Sequence, residues 1–92
     1  MRVFVTGACG FIGFHLCKKL LVKDFQVIGL DNFNSYYDPT LKEARFRRLK
    51  EISKSKNFKI FRDDIKNVNN LKNIFEEFSP DVVVNLAAQA GV

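Results

Sequence analysis

The stretch TGACGFIG, Thr6 to Gly13, places three glycines three residues apart directly after the apolar, β-branched run Arg2 to Thr6. The segment that follows, Phe11 to Lys23, carries apolar residues at helical spacing and has lysines near its end, where a helix dipole favours cations. This order predicts a strand, a glycine turn and a helix. Backbone N–H groups at the start of such a helix attract an anion, and a pyrophosphate fits there.

Each glycine of this turn has a distinct predicted purpose. Gly7 permits a tight turn, Gly10 permits close approach of a ligand, and Gly13 lets the helix pack tightly against the sheet. The spacing is GxxGxxG, whereas the commoner dinucleotide fingerprint is GxGxxG. Glycines also mark plain turns, so the three glycines alone leave a purely structural interpretation equally open.

The rest of the chain repeats the strand and helix alternation. Further strands are predicted at Phe25 to Leu30, Phe58 to Arg62 and Asp81 to Leu86, and further helices at about Pro39 to Ser53 and Val68 to Phe78. The last strand is nearly all apolar, which is typical of a strand buried on both faces. The order βαβαβαβ predicts a parallel sheet with right-handed crossovers, which is an α/β, Rossmann-type, partial doubly wound domain.

An acidic residue follows the second predicted strand at a distance that suits the glycine turn. Asp31 stands 18 residues after Gly13, close to the roughly 20 at which an acid meets the adenosine ribose of a dinucleotide. Its carboxylate would accept hydrogen bonds from the ribose hydroxyls and repel a 2′-phosphate, which favours NAD over NADP. The alternative is that Asp31 merely begins a turn.

Length and composition limit the number of domains and the kinds of site that this chain can have. A chain of 92 residues with 47% hydrophobic residues can bury one modest core, so a single domain is expected. It shows neither a signal-peptide pattern nor a run of about 20 apolar residues, so we expect a cytoplasmic protein. Cys9 and Cys17 lack metal-ligand spacing and are predicted to be reduced and buried. The lone His15 is assigned to helix packing, and no metal site is predicted.

The net charge of +5 is carried by one segment of the chain. Between Lys42 and Lys56 there are seven Lys or Arg residues against two Glu, and the rest of the chain is balanced. Phe46, Leu49 and Ile52 share one side of this segment, so an amphipathic helix with a solvated cationic face is predicted. A nucleic-acid-binding module is the alternative, and it would lose affinity steeply with salt.

Several motifs together resemble one family over the whole chain. They are TGACGFIG, DNFN (Asp31 to Asn34), SYYDP (Ser35 to Pro39), DDI (Asp63 to Ile65) and NLAAQAGV (Asn85 to Val92). The chain resembles the N-terminal part of the extended short-chain dehydrogenase/reductases, and among them the NAD-dependent nucleotide-sugar epimerases of the UDP-glucuronate 4-epimerase type. Cys9, Phe14 and Asp63 depart from the family's usual Ala or Gly, Ser, and Gly.

The resemblance implies a set of cofactor-binding positions. The pyrophosphate would be held by Gly7, Gly10, Phe11, Ile12 and Gly13. The adenosine ribose would meet Asp31 and Asn32, with Asn34 nearby, and the adenine ring would meet Asp64 and Ile65. The rest of the dinucleotide would lie along Leu86, Ala87, Ala88 and Gln89.

The resemblance also implies a reaction. Such epimerases move a hydride from sugar C4 to bound NAD while a base takes the hydroxyl proton, and the keto sugar turns over before the hydride returns. The base belongs to a Tyr-x-x-x-Lys pair, which neither Tyr36 nor Tyr37 begins. We therefore expect residues 1–92 to be the N-terminal part of an NAD-binding Rossmann domain, non-catalytic alone, within a UDP-sugar enzyme that forms a homodimer and binds neither nucleic acid nor membrane. A 4,6-dehydratase and a non-catalytic NAD-sensing protein remain alternatives.

Overall fold

The computed structural model describes residues 1–33, 39–53, 57–63 and 66–87. Strands and helices alternate along these residues. The strands are β1 (Arg2–Thr6), β2 (Gln26–Asp31), β3 (Phe58–Arg62) and β4 (Val82–Asn85), and the helices are α1 (Phe11–Val22), α2 (Pro39–Ser53) and α3 (Val68–Phe78). The predicted βαβαβαβ order is confirmed.

All strand pairs are parallel, and the sheet has the order β3-β2-β1-β4. The chain first moves outward from β1 to β2 and β3, and then returns to place β4 on the other side of β1. The strand order therefore reverses at β1. In open parallel sheets, ligands bind beyond the carboxyl ends of the strands at this kind of reversal. The α/β, Rossmann-type prediction is confirmed.

Side-chain alternation along β1 divides the core into two halves. Val3 and Val5 face one side with Cys17 of α1 and Leu49 of α2. Phe4 faces the other side with Ile74 of α3, and its ring meets that of the next helix residue, Phe75, edge-on at 5.4 Å. Because successive strand side chains point to opposite faces, one central strand supports helices on both. The sheet is therefore doubly wound.

Three predicted elements, α1, β2 and β4, were wrong by one residue at one or both ends. Helix α1 ends at Val22 instead of Lys23, because Asp24 takes a left-handed φ of 62° and closes the turn with an N–H bond to Leu21 O at 3.0 Å. Strand β2 runs from Gln26 to Asp31 instead of Phe25 to Leu30. The Phe25 N–H still serves the helix end by donating to Leu20 O at 3.1 Å.

The environment of β4 differs from the prediction. The strand is shorter, Val82–Asn85, and is not buried on both faces: Val82 and Val83 are 40% and 47% exposed. The reason is that, within the described residues, β4 pairs with β1 alone and forms an edge of the sheet. The apolar composition of β4 shows that the strand can be buried on both faces. The elements packed against it decide whether it is buried. None of the described helices is long and apolar enough to cross a membrane.

Candidate functional site

The turn after β1 is built on a left-handed glycine. Gly7 has φ of 70°, a conformation that L side chains rarely adopt. A Cβ there would lie 2.8 Å from the carbonyl carbon of Leu86 and 2.9 Å from the Ala87 nitrogen. Its own N–H donates to Leu30 O at 2.8 Å. Gly7 therefore permits the tight turn, as predicted, and also lets the segment after β4 approach the loop.

Gly13 permits close packing, whereas Gly10 has a single close neighbour. A Cβ on Gly13 would stand 2.0 Å from Gly7 O, so α1 can pack against the loop only without a side chain there. A Cβ on Gly10 would meet nothing closer than Gly7 O at 3.3 Å. Gly10 has φ of −70°, which any residue can adopt. Apart from this one tight contact, a Cβ on Gly10 would meet no other non-neighbouring atom of the described residues within 4 Å, which leaves room for a ligand on its remaining sides.

Helix α1 begins directly beside this space. Gly10 is its N-cap, and the first intrahelical bond runs from Phe14 N to Gly10 O at 2.9 Å. The preceding N–H groups of the first turn, on Phe11, Ile12 and Gly13, point beyond the helix end by geometry. Phe11 and Ile12 are 68% and 66% exposed, so this first turn is not covered by the rest of the described residues. This helix start can accept a diphosphate.

Asp31 joins the loop to two other segments. Its Oδ2 accepts the Cys9 N–H at 3.0 Å, and its Oδ1 accepts the Phe33 N–H at 2.7 Å and Lys42 Nζ at 2.9 Å. The side chain is 1% exposed. A carboxylate offers about four acceptor sites, and three are filled here. Because the side chain is almost completely buried, a ribose hydroxyl would reach the fourth only after a neighbouring group moves aside. The structure places Asp31 beside the glycine loop and shows that it also has a structural purpose.

The end of β4 is held against the loop by Thr6. Its Oγ1 donates to Asn85 Oδ1 at 2.5 Å and accepts the N–H groups of Leu86 at 3.1 Å and Ala87 at 3.3 Å. One donated and two accepted bonds exhaust a hydroxyl. The predicted site segment thus lies next to Gly7 because Thr6 holds it there. Neither Thr6 nor Asn85 was predicted as a site residue, although Thr6 opens the TGACGFIG motif.

Two cations of α2 were also missed. Lys42 binds Asp31, and Arg45, one turn later, donates from Nη1 to Cys9 O at 3.0 Å. The sequence reasoning placed the charge of this helix in solvent. The spacing of these two residues puts both on one side of the helix, which was the available signal. At about 3.6 residues per turn, this is the same side as the predicted apolar one. That apolar side is confirmed, with Leu49 fully buried and Phe46 and Ile52 partly buried.

Beyond Asp31, aromatic and charged side chains pack together. The Arg62 guanidinium lies 4.0 Å from the centre of the Phe33 ring and 5.4 Å from that of Phe46. It also donates to both Glu43 oxygens, at 2.5 and 2.8 Å, and this hydrogen bond holds the pKa of Glu43 below its ordinary value. Phe33 has a left-handed φ of 58°, and its N–H is bound to Asp31. This cluster lies beside the carboxyl ends of β2 and β3.

The remaining predicted positions are only partly described. Asn32 is exposed next to Asp31, and Leu86 and Ala87 are partly buried. Five predicted site residues lie outside the described residues, namely Asn34, Asp64, Ile65, Ala88 and Gln89. The two tyrosines, Tyr36 and Tyr37, also lie outside them.

The two cysteines are free and buried, as predicted. Burial raises the pKa of both thiols to about 12, and the nearby Asp31 carboxylate contributes at Cys9. A thiol with such a pKa is almost entirely protonated at neutral pH and is a poor nucleophile. His15 lies exposed on α1 with edge-on contacts to Phe11 at 4.9 Å and Phe14 at 5.2 Å. Both contacts lie within α1, and the assignment of His15 to helix packing stays a prediction.

Comparisons with known proteins agree with this geometry. The chain is 49% identical over 88 residues to a UDP-glucuronate 4-epimerase of Thermodesulfobacterium geofontis, covering 96% of this chain and 26% of that protein. It is 50% identical over 92 residues to UDP-glucuronate 4-epimerase 4 of Arabidopsis thaliana, covering all of this chain and 20% of that protein. The chain therefore spans about a quarter or less of the length of these relatives.

Solved structures give the same fold. A UDP-glucuronic acid 4-epimerase from Bacillus cereus, in complex with UDP-4-deoxy-4-fluoro-glucuronic acid and NAD, matches with a TM-score of 0.84 and 39% identity. The match covers all of this chain and 28% of that one. A dTDP-glucose 4,6-dehydratase from Bacillus anthracis in complex with NAD matches with a TM-score of 0.78 and 25% identity, over 98% of this chain and 27% of that one.

A family model described as GDP-mannose 4,6 dehydratase matches residues 4–92. The resemblance to extended short-chain dehydrogenase/reductases is confirmed by that match and by the epimerase relatives. The chain belongs to the GDP-mannose 4,6-dehydratase family of extended short-chain dehydrogenase/reductases.

Proposed function

We propose that this chain is the NAD-binding, N-terminal portion of a nucleotide-sugar 4-epimerase that acts on UDP-glucuronate or UDP-galacturonate. One observation carries the proposal. The space beside Gly10, the first turn of α1, the Asp31 carboxylate and the Leu86–Ala87 segment meet at the carboxyl ends of β1, β2 and β4. A dinucleotide is long enough to need all of these, and a smaller anion is not.

Each group would hold a different part of the cofactor. The N–H groups of Phe11 and Ile12 would bind the diphosphate at the α1 N-terminus, over the space that Gly10 leaves. Asp31, with Asn32 and Asn34, would hold the adenosine ribose with its remaining acceptor capacity, and Asp64 with Ile65 would contact the adenine. Leu86 to Gln89 would line the path of the nicotinamide half.

Bound NAD supplies a hydride acceptor for sugar C4. The residues of this chain bind and orient it, and they leave the proton transfer to groups elsewhere in the enzyme. The neutral thiols of Cys9 and Cys17 take no part. We propose further that the whole enzyme is a cytoplasmic homodimer of carbohydrate metabolism that takes a UDP-sugar and binds neither nucleic acid nor membrane.

A 4,6-dehydratase is the second candidate, since both the family description and one structural neighbour name that activity. Both enzymes would use the same cofactor site. The 4-epimerase relatives, which are 49% and 50% identical, favour the first candidate. Turnover of UDP-glucuronate by the full-length enzyme, followed by chromatography of the product, distinguishes an epimer from a dehydrated keto sugar.

The cofactor site is tested by titrating the isotope-labelled chain with NAD and following its backbone amide resonances. We expect the amides of Gly7, Gly10 and Phe11 to shift, and NADP to shift them less at equal concentration. This method detects the weak binding that we expect from the chain alone.

The matched variant is Gly10→Val, whose backbone conformation any residue can adopt but whose side chain fills the proposed ligand space. It should keep the folded spectrum and lose the NAD response. Wild-type amides that stay unmoved by NAD, or a valine variant that responds normally, would contradict the proposed site.

A further inference from the structure

We propose that Arg45 is a positioning residue for the cofactor loop, and that NAD affinity depends on the docking of α2 through it. The inference rests on the proposed function, because it concerns the same site. Arg45 is assigned to act on the main chain of the loop through the carbonyl of Cys9. Its effect on the cofactor is therefore indirect.

The main chain around Cys9 is held at three points. Its N–H donates to Asp31 Oδ2 at 3.0 Å, and its carbonyl accepts from Arg45 Nη1 at 3.0 Å. The Gly10 N–H belongs to the same peptide plane as this carbonyl, and it donates to Gly7 O at 3.0 Å. Because one bond restrains each edge of the plane, the tilt of the Cys9–Gly10 peptide is defined.

This peptide leads directly into the anion site. The next N–H groups along the chain are those of Phe11 and Ile12, in the first turn of α1. Gly10 is the N-cap and has no side chain with which to cap the helix, so the orientation of that turn depends on main-chain restraints. Within the described part of the loop, the Arg45 bond is the restraint that α2 applies directly to the main chain.

Helix α2 contacts the site at two adjacent points. Lys42 Nζ binds Asp31 Oδ1 at 2.9 Å, and Asp31 in turn binds Cys9, so both bonds from α2 lead to the same residue of the loop. The Arg45 guanidinium also lies 6.0 Å from the centre of the Phe11 ring, within the range of a cation–π contact. The loop and α2 should therefore be positioned together when the cofactor binds.

The test compares Arg45→Met and Arg45→Lys with the wild-type chain. Methionine keeps an unbranched apolar stem but removes every donor, whereas lysine can still donate to the Cys9 carbonyl. Arg48→Met is the matched control, because it removes the same charge from the same helix at an exposed pair with Glu51. Affinities for NAD and for adenosine, which lacks phosphate, are measured by amide titration, with thermal denaturation as the check on folding.

We expect R45M to bind NAD roughly tenfold more weakly, which corresponds to about 1.4 kcal/mol, and to bind adenosine as the wild type does. Even before any ligand is added, the amide resonance of Gly10 in R45M should be shifted from its wild-type position. R45K should recover most of the NAD affinity, and R48M should match the wild type. If R45M does not fold, Arg45→Gln replaces it, because a glutamine amide is too short to reach the carbonyl.

The outcomes separate the two proposals. If the amide resonances of the wild-type chain do not shift when NAD is added, the proposed function is overturned. If the wild type binds NAD, then an R45M variant that binds it equally well, or that loses adenosine affinity to the same extent, overturns the positioning role. A folded R45K variant that fails to recover NAD binding would also overturn the positioning role of Arg45.

Discussion

The backbone N–H of Cys9 donates to the carboxylate of Asp31 at 3.0 Å, which ties the glycine loop after β1 to the end of β2. The acid predicted to bind a ribose therefore also builds the site that surrounds it. Asp31 accepts Lys42 on its other oxygen, and its side chain is almost completely shielded from solvent. Cofactor binding and folding should both depend on this one residue.

We expect Asp31→Ala to lower the free energy of unfolding by about 1–3 kcal/mol, because it leaves the Cys9 N–H buried without its acceptor. Lys42→Met should cost less, since the bonds from Cys9 and Phe33 to Asp31 remain. Urea denaturation of both variants and of the double variant measures this. Equal losses in the two single variants would show that the ion pair with Lys42 is the main contribution of Asp31.

For NAD affinity in the full-length enzyme, we expect D31A to cost about 1–3 kcal/mol by calorimetry.

The glycines of the loop should separate into structural and ligand positions. Gly13→Ala should destabilise the chain by about 3 kcal/mol or more, because its Cβ would overlap Gly7 O at 2.0 Å and the helix would have to move. Gly10→Ala, with its nearest contact at 3.3 Å, should change stability by less than about 1 kcal/mol. Thermal denaturation compares the two. Similar losses at both positions would contradict the assignment of Gly10 to ligand approach.

Thr6 should be sensitive to loss of its hydroxyl and tolerant of loss of its methyl group. Thr6→Val removes the acceptor of the Ala87 N–H and the donor to Asn85, at an expected cost of about 1–3 kcal/mol in unfolding free energy. Thr6→Ser keeps both bonds and is the matched control. Hydrogen exchange at Ala87 should accelerate in the valine variant alone, whereas the Leu86 N–H keeps its bond to the backbone carbonyl of Thr6 at 3.1 Å. Equal exchange at Ala87 in both variants would refute this role.

The buried thiols should make the chain less stable in alkali. Their pKa values rise from 9.0 to about 12 on folding, so above pH 9 the unfolded chain loses protons that the folded chain keeps. Stability is therefore fully present below pH 9 and falls as pH rises toward 12, by about 1.4 kcal/mol per pH unit for each thiol. Urea denaturation between pH 8 and 10.5 should show this slope. The Cys9→Ala, Cys17→Ala double variant should show a shallower one, and parallel slopes would exclude the thiols as the cause.

Much of the fold could be predicted because its signals are local. The bounds of β1, α2, β3 and α3 agree with the predicted ones, since each has a uniform pattern with clear ends, such as Ser79-Pro80 after α3. The errors occurred where a contact outside the pattern decides the end. Helix α1 ends because Asp24 has a left-handed backbone conformation, and β2 includes Asp31 because this residue pairs with Arg62 of β3.

The sequence by itself determined the alternation of strands and helices, the glycine turn and the acid that faces it, because periodicity and backbone freedom belong to the residues themselves. Only the tertiary structure decided that β4 lies beside β1, that Thr6 holds the segment after β4, and that Lys42 and Arg45 bind the cofactor loop. These contacts join residues 11 to 81 positions apart. A hydrogen bond over such a distance depends on where the sheet and helices bring the chain, and no local pattern records it.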